Sequence, residues 1–224
     1  MTTVLFDLDG TIADTEVLKA KSLALTVQKL GGSAPTEIYK LVMGQSWERV
    51  TGSFIRYSGL KVSQETFDPI FRKIYWELLE SDLCDTREAG LFLSWLKEKD
   101  FQLGLVSSAS PWMIEKTLSH LRLNKFFDTI ISGDDIRKHK PNPDAYLLAL
   151  YRLKVSGKST ICFEDSESGF EAATSAGIPV YGLRHAYNEK HNFNLCRQTL
   201  SDFRECFEFG LFSPVDLGTL QNEG

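Results

Sequence analysis

Residues 3–15 read Thr3-Val4-Leu5-Phe6-Asp7-Leu8-Asp9-Gly10-Thr11-Ile12-Ala13-Asp14-Thr15. A short run suited to extended structure ends in two carboxylates spaced by two, followed by a Gly-Thr turn. In an extended chain residues i and i+2 share a face, so Asp7 and Asp9 are expected to converge on one point beyond the strand end. Open α/β sheets place their ligands there. Two neighbouring carboxylates repel each other, and hard oxygen donors favour Mg²⁺ as the cation that relieves them. A bare Asp-x-Asp also serves turns and helix caps. The apolar strand in front of it adds weight to the site reading.

Outward from this stretch, further short apolar runs at 103–106, 129–132, 161–164 and 180–183 each meet polar or glycine-bearing residues at their ends. Helical patterns at 88–99, 111–121, 143–153 and 169–176 separate most of them, with Asn142 as a suitable cap and Pro143 as a suitable first residue for the third. Alternation of this kind predicts an α/β fold with a doubly wound, mostly parallel, Rossmann-like sheet. Residues 15–80 have another texture. They show helical periodicity, notably at 22–30 and 67–79, and no strand. The expected organisation is a discontinuous α/β core, 1–14 and 81–224, with a small all-helical cap, 15–80, inserted after the first strand. The tail after Phe212 is polar and is expected to be loosely ordered.

The 224 residues carry 25 Lys and Arg against 30 Asp and Glu, a net charge of −5, which argues against broad binding to nucleic acid or anionic membrane. The sequence contains no run of 18 or more apolar residues, so no membrane-spanning helix is expected. The amino terminus lacks the basic region of a signal peptide, and the four cysteines form no Cys-x-x-Cys pair. Reduced thiols and a cytoplasmic location are expected.

Later strand ends carry the remaining chemistry. Ser107 ends the 103–106 run, Lys140 opens Lys140-Pro141-Asn142-Pro143-Asp144, and Glu164-Asp165-Ser166 ends the 161–164 run. Pro141 biases Lys140 out of any helix, and Asp165 or Ser166 could cap the helix that follows. With Asp7-x-Asp9-Gly10-Thr11 in front, these four motifs in this order resemble the haloacid dehalogenase-like superfamily. The helical insertion resembles the small cap of its β-phosphoglucomutase-like branch. The resemblance implies that Asp7 is a nucleophile forming an aspartyl-phosphate, and that Asp9 is the general acid and base. It implies that Ser107, the Ser108 N–H and Lys140 bind phosphate. Mg²⁺ would be ligated by Asp7, Asp165 and the main-chain carbonyl of Asp9, with Glu164 at or next to the metal. The second acid, Asp9, favours phosphoryl transfer over carbon–halogen chemistry.

The cap departs from the mutase pattern. Where β-phosphoglucomutases carry a histidine after the first motif, this chain has Lys19. Where they carry an arginine gripping the distal phosphate, in a Gly-x-Ser-Arg loop, the sequence reads Gly44-Gln45-Ser46-Trp47. Trp47, Glu48 and Arg49 are therefore the expected specificity residues, and Tyr57, Tyr75 and Trp76 are expected mostly to pack the cap. The leading expectation is a monomeric Mg²⁺-dependent phosphatase acting on a small phosphorylated metabolite, such as a sugar phosphate. A sugar-phosphate mutase is the alternative, and a non-catalytic phosphate-ligand-binding protein the remote one.

Overall fold

The structure, a computed structural model, describes residues 3–83 and 88–208. Expectations for Cys84 and for the tail after Phe212 lie outside those residues. Six parallel strands form one sheet: β1 (Thr3–Phe6), β2 (Gln102–Val106), β3 (Thr129–Ile131), β4 (Thr160–Glu164), β5 (Val180–Leu183) and β6 (Gln198–Leu200). Their order is β3-β2-β1-β4-β5-β6, so the chain winds outward to one side of β1 and then returns to build the other side. The carboxyl ends of β1, β2 and β4 thus meet at the reversal point, where such sheets bind ligands.

Both faces of the sheet are covered, which explains why its central strands are apolar throughout. Val4, Phe6, Leu105 and Phe163 join one core with helix α4 (Ala89–Glu98) and helix α5 (Pro111–Leu121). Phe6 lies against Phe163, Phe203 and Phe92 with ring centres 5.3, 6.0 and 6.1 Å away. Leu5, Val106 and Cys162 face the opposite core with α6 (Asp144–Leu153) and α7 (Glu167–Ser175).

Between β1 and α4 the described residues form helices and no strand: α1 (Glu16–Lys29), a 3-10 segment at Thr36–Leu41, α2 (Trp47–Ser58) and α3 (Gln64–Asp82). Leu23, Val27, Phe54, Phe67, Phe71 and Tyr75 are buried among them. Tyr75 stacks on Phe71 at 5.3 Å, a packing role, whereas Tyr57 is exposed and Trp76 lies under the Lys116 ammonium. Helix α3 runs on to Asp82, across the boundary expected at residue 80.

One local expectation needs correction, and one strand lies outside the expected set. Helix α6 begins at Asp144 with Pro143 in the cap position, and Asn142 instead donates its side-chain amide to the His139 carbonyl. Strand β6 was not anticipated: it is a three-residue edge strand in which only Leu200 is buried, too short and too polar to stand out. Among the described residues no helix is long and apolar enough to cross a membrane.

Candidate active site

Parallel register sets Phe6 beside Leu105 and Phe163, so the residues just past these strands share one rim. Asp7 continues the β1 ladder by donating its N–H to the Phe163 carbonyl at 3.0 Å. Lys140 reaches this rim from the loop after β3, and the Lys140–Pro141 peptide is cis. Its buried Nζ donates to Asp7 Oδ1 and Glu164 Oε1, both at 2.6 Å, and to the Val106 carbonyl at 3.1 Å. Burial alone would lower the Lys140 ammonium. The Asp7 and Glu164 carboxylates more than offset that and hold it above the usual lysine range.

Glu164 is fully buried behind Lys140. Its Oε1 also accepts from Tyr146 Oη at 3.2 Å. Its Oε2 accepts from the N–H groups of Asp165 and Ser166 at 2.8 and 2.9 Å and from Ser166 Oγ at 3.0 Å. Ser166 in turn caps α7, accepting from the Gly169 N–H at 3.2 Å. A Cβ at Gly169 would collide with the Glu164 carboxylate, so this carboxylate and that glycine are matched.

Asp9 is held from two sides. Its Oδ1 accepts from Thr15 Oγ1 at 2.5 Å, and its Oδ2 lies 2.7 Å from the buried Lys19 ammonium. Glu16 sits 3.7 Å from the same ammonium through Oε1, while its buried Oε2 has no hydrogen-bond partner among the described residues. Burial pushes the Glu16 carboxyl up, against the pull of Lys19. Ser107 Oγ stands 3.5 Å from Asp9 Oδ2 and accepts from the Ala109 N–H at 3.0 Å.

Asp165 completes the floor. His185 Nε2 is 2.8 Å from its Oδ2, and His185 Nδ1 accepts from the Tyr187 N–H at 3.2 Å, which leaves Nε2–H as the donor to Asp165 in the neutral ring. Gly10 makes this approach possible: it has φ +78°, and a Cβ there would strike both Asp165 and His185.

The donor set suits a hard divalent cation. Burial first, and then the carboxylates of Glu164 and neighbouring acids, push both the Asp7 and Asp165 carboxyls well above the usual range. A cation between them relieves that repulsion. Among the described residues no three Asp, Glu, His or Cys side chains converge as a metal cluster. The expected set differs in kind: the side chains of Asp7 and Asp165 and the main-chain carbonyl of Asp9, with Glu164 next to them, its two oxygens taken by Lys140, Tyr146, Ser166 and the Asp165 N–H.

A cavity of about 530 Å³ lies between this floor and the cap, within the size range of small-molecule sites. Asp7, Asp9, Ser108, Lys140 and Asp165 line one end, while Lys19 and Trp47 line its walls. Ser107 and Glu164 lie behind the lining. Arg49 is exposed and is not part of it. Arg72 of α3 lines the cavity instead, with its guanidinium 4.7 Å from the ring centre of Trp112 on α5. The cap touches the core across the cleft where Ser168 Oγ donates to the Gly44 carbonyl at 3.1 Å and Lys40 Nζ to the Ala186 carbonyl at 2.9 Å.

Arg72, Trp112 and His185 were not singled out by sequence. Arg72 sits on the polar side of a helix read for its apolar side, and His185 follows a strand without any motif around it. The one available signal was the i, i+4 pair Asp68 and Arg72, which reads equally well as a solvated helix face.

A profile described as haloacid dehalogenase-like hydrolase matches residues 4–183, which takes in Asp7, Asp9, Ser107, Lys140, Glu164 and Asp165. The chain belongs to the haloacid dehalogenase-like hydrolases. Among relatives in this family, a phosphorylated carbohydrates phosphatase of Thermotoga maritima is 33% identical over 194 residues, covering 84% of this chain and 88% of the relative. A fructose-1-phosphate phosphatase of Escherichia coli is 28% identical over 186 residues, covering 81% and 95%. The crystal structure of a candidate β-phosphoglucomutase from Thermotoga maritima superposes with a TM-score of 0.77 at 27% identity, covering 93% of this chain and 98% of that one. Family membership, with relatives named as phosphatases, supports phosphoric monoester hydrolysis as the class of reaction of this hydrolase.

Proposed function

We propose that this hydrolase is a Mg²⁺-dependent phosphatase acting on a small phosphorylated metabolite, in particular a sugar phosphate, through an aspartyl-phosphate on Asp7. The observation that carries the reading is Lys140, buried and anchored on Asp7 and Glu164 where three strands end. A fixed cation beside a carboxylate nucleophile is what an incoming dianionic phosphoryl group requires.

The chemistry follows from the side chains. An Asp7 carboxylate oxygen attacks phosphorus, the bond from phosphorus to the leaving oxygen breaks, and Asp9 delivers a proton to that oxygen. Water then attacks phosphorus, Asp9 takes its proton, and phosphate leaves with Asp7 restored. Lys140, Ser107 and the Ser108 N–H hold phosphate oxygens. Asp7, Asp165 and the Asp9 carbonyl would hold Mg²⁺, which supplies charge neutralisation for the anionic substrate. Glu164, bonded on both oxygens, acts in this reading by fixing Lys140 from behind. Lys19 and Thr15 hold Asp9 until substrate arrives.

A sugar-phosphate mutase is the second reading, favoured by the likeness to the candidate β-phosphoglucomutase. Against it, the loop position expected to grip a distal phosphate is Trp47, and Arg49 does not line the cavity. The test is inorganic phosphate release from a panel of sugar, polyol and nucleoside monophosphates, with Mg²⁺ and with EDTA. Metal-dependent release is expected. Isomer interconversion without release would establish the mutase reading instead.

A further inference from the structure

His185 and Asn188, on the loop that follows β5, take no part in the chemistry proposed above. Asn188 is fully buried, and its side chain is spent on main-chain groups. Its Nδ2 donates to the carbonyls of Asp165 and Leu183, both at 2.8 Å, and its Oδ1 accepts from the His185 N–H at 2.8 Å. Asn188 thus fastens the backbone of His185 to the backbone of Asp165. The nearly buried His185 ring then meets the Asp165 side chain, with Nε2 2.8 Å from Oδ2 and Nδ1 accepting from the Tyr187 N–H at 3.2 Å. One loop therefore grips Asp165 at both its carbonyl and its carboxylate. The space for that grip exists only because residue 10 is a glycine, since a Cβ there would strike both partners.

A carboxylate can ligate a hard cation through one oxygen or both, and a hydrogen bond to one oxygen fixes its orientation and leaves the other for the cation. Asp165 lines the phosphate end of the cavity and has such a donor, itself locked in place by Asn188 and Tyr187. We propose that His185 is a positioning residue for the metal site: its Nε2–H holds Asp165 Oδ2 and leaves Oδ1 for Mg²⁺. This rests on the phosphatase reading above, in which Asp165 is a Mg²⁺ ligand, and adds to it the residue that sets the affinity of that site.

The test is calorimetric titration of Mg²⁺ into the full chain, beside rates of phosphate release at rising Mg²⁺. His185→Ala should keep the loop seated, because Asn188 still bonds the carbonyls of Asp165 and Leu183 and Lys40 Nζ still reaches the Ala186 carbonyl at 2.9 Å. Its Mg²⁺ dissociation constant is expected to rise by about 10- to 100-fold. At saturating Mg²⁺ its kcat should return to within about threefold of native, and its melting temperature in EDTA should stay near native. His185→Gln carries an amide N–H and should regain most of the affinity, whereas His185→Phe fills the space without a donor and should not. An unchanged dissociation constant in His185→Ala, a recovery in His185→Phe equal to that in His185→Gln, or a loss of kcat that saturating Mg²⁺ does not restore each overturns the proposal. If the His185→Ala chain does not fold, the comparison of His185→Gln with His185→Phe decides alone. If the native chain binds no Mg²⁺, or Asp165→Asn binds it as tightly as native, the metal reading itself fails and takes this inference with it.

Discussion

The Lys19 ammonium lies 2.7 Å from Asp9 Oδ2, with both side chains nearly buried. Burial would lower this lysine, but the Asp9 and Glu16 carboxylates hold it above its ordinary range, so it stays charged across the working pH. Together with Thr15 on Oδ1 it fixes the carboxylate assigned to proton transfer. Lys19→Met keeps the chain length and removes the charge. Because misplacing a reacting group by about 1 Å costs up to ~100-fold, kcat is expected to fall by about 10- to 100-fold with KM little changed. Stopped-time assays of phosphate release check this, and an unaltered kcat would remove Lys19 from the mechanism.

Asp7 and Asp9 divide the labour, and isosteric amides separate their roles. Asp7→Asn should abolish turnover with the fold retained, because it removes the nucleophile at constant volume. Asp9→Asn should slow turnover by about 10²- to 10⁴-fold while leaving Mg²⁺ affinity closer to native, since its assigned ligand is the main-chain carbonyl. Calorimetric titration with Mg²⁺, run beside the rate assay, tests the division. A loss of affinity as large as the loss of rate contradicts it.

Gly169 opens the first turn of α7 under the Glu164 carboxylate. Gly169→Ala should force that carboxylate off Lys140 or push α7 outward, and overpacking of this type costs about 1–3 kcal/mol. A melting temperature lower by several degrees, about 2–4 °C per kcal/mol for a chain of this size, is the expected result. Gly31→Ala is a control for glycine loss, because nothing lies within 4 Å of a Cβ there, although its positive φ adds its own strain. The comparison is therefore read on activity: only the α7 variant should lose catalysis as well.

Acid sensitivity has a local source beside the cavity. Asp135, just past Asp134, accepts from the Ser132 Oγ and N–H at 2.6 and 2.8 Å and pairs with Arg152 at 2.8 Å. The Ser132 hydrogen bonds, followed by Arg152, pull its carboxyl down to about 2. A depressed acid contributes stability that is complete above its unfolded value, near ~3.9, and is lost as pH falls toward the folded one. Denaturant unfolding of the native chain should therefore weaken between about pH 4 and 2. Asp135→Asn should flatten that slope and cost no more than about 1 kcal/mol at neutral pH, discounted for solvent screening at an exposed pair. An identical slope in the variant would move the acid sensitivity elsewhere.

Much of the site was legible because its chemistry is tied to strand ends. A short apolar run that stops at Asp7, at Ser107 or at Glu164 announces both the strand and the rim, and parallel register then brings distant motifs together. Lys140 was legible for a related reason, since the prolines around it keep it in a loop. The cap was less so. Helical periodicity gave its helices but not the rotation of each about its axis, and that rotation decides that Arg72 meets the cavity while Arg49 does not. His185 was invisible because its role comes from a contact with Asp165, 20 residues earlier, and a lone histidine carries no periodic or spacing signal.

Metal binding should appear in stability as well as in rate. Asp7 and Asp165 are buried carboxyls pushed well above their ordinary range, first by desolvation and then by neighbouring acids. A ligand that binds only the folded chain stabilises it by about 2.7 kcal/mol at 100 times its dissociation constant. Mg²⁺ in that excess should therefore raise the melting temperature by several degrees over an EDTA-treated sample. Asp165→Asn should remove most of that rise, because it takes away one of two side-chain ligands. Asp68→Asn, on the cap side of the cavity and bonded to Trp47, should keep it. Thermal scans of the three proteins with and without Mg²⁺ decide the matter: equal shifts in all three would place the cation somewhere other than the end of β1 and β4.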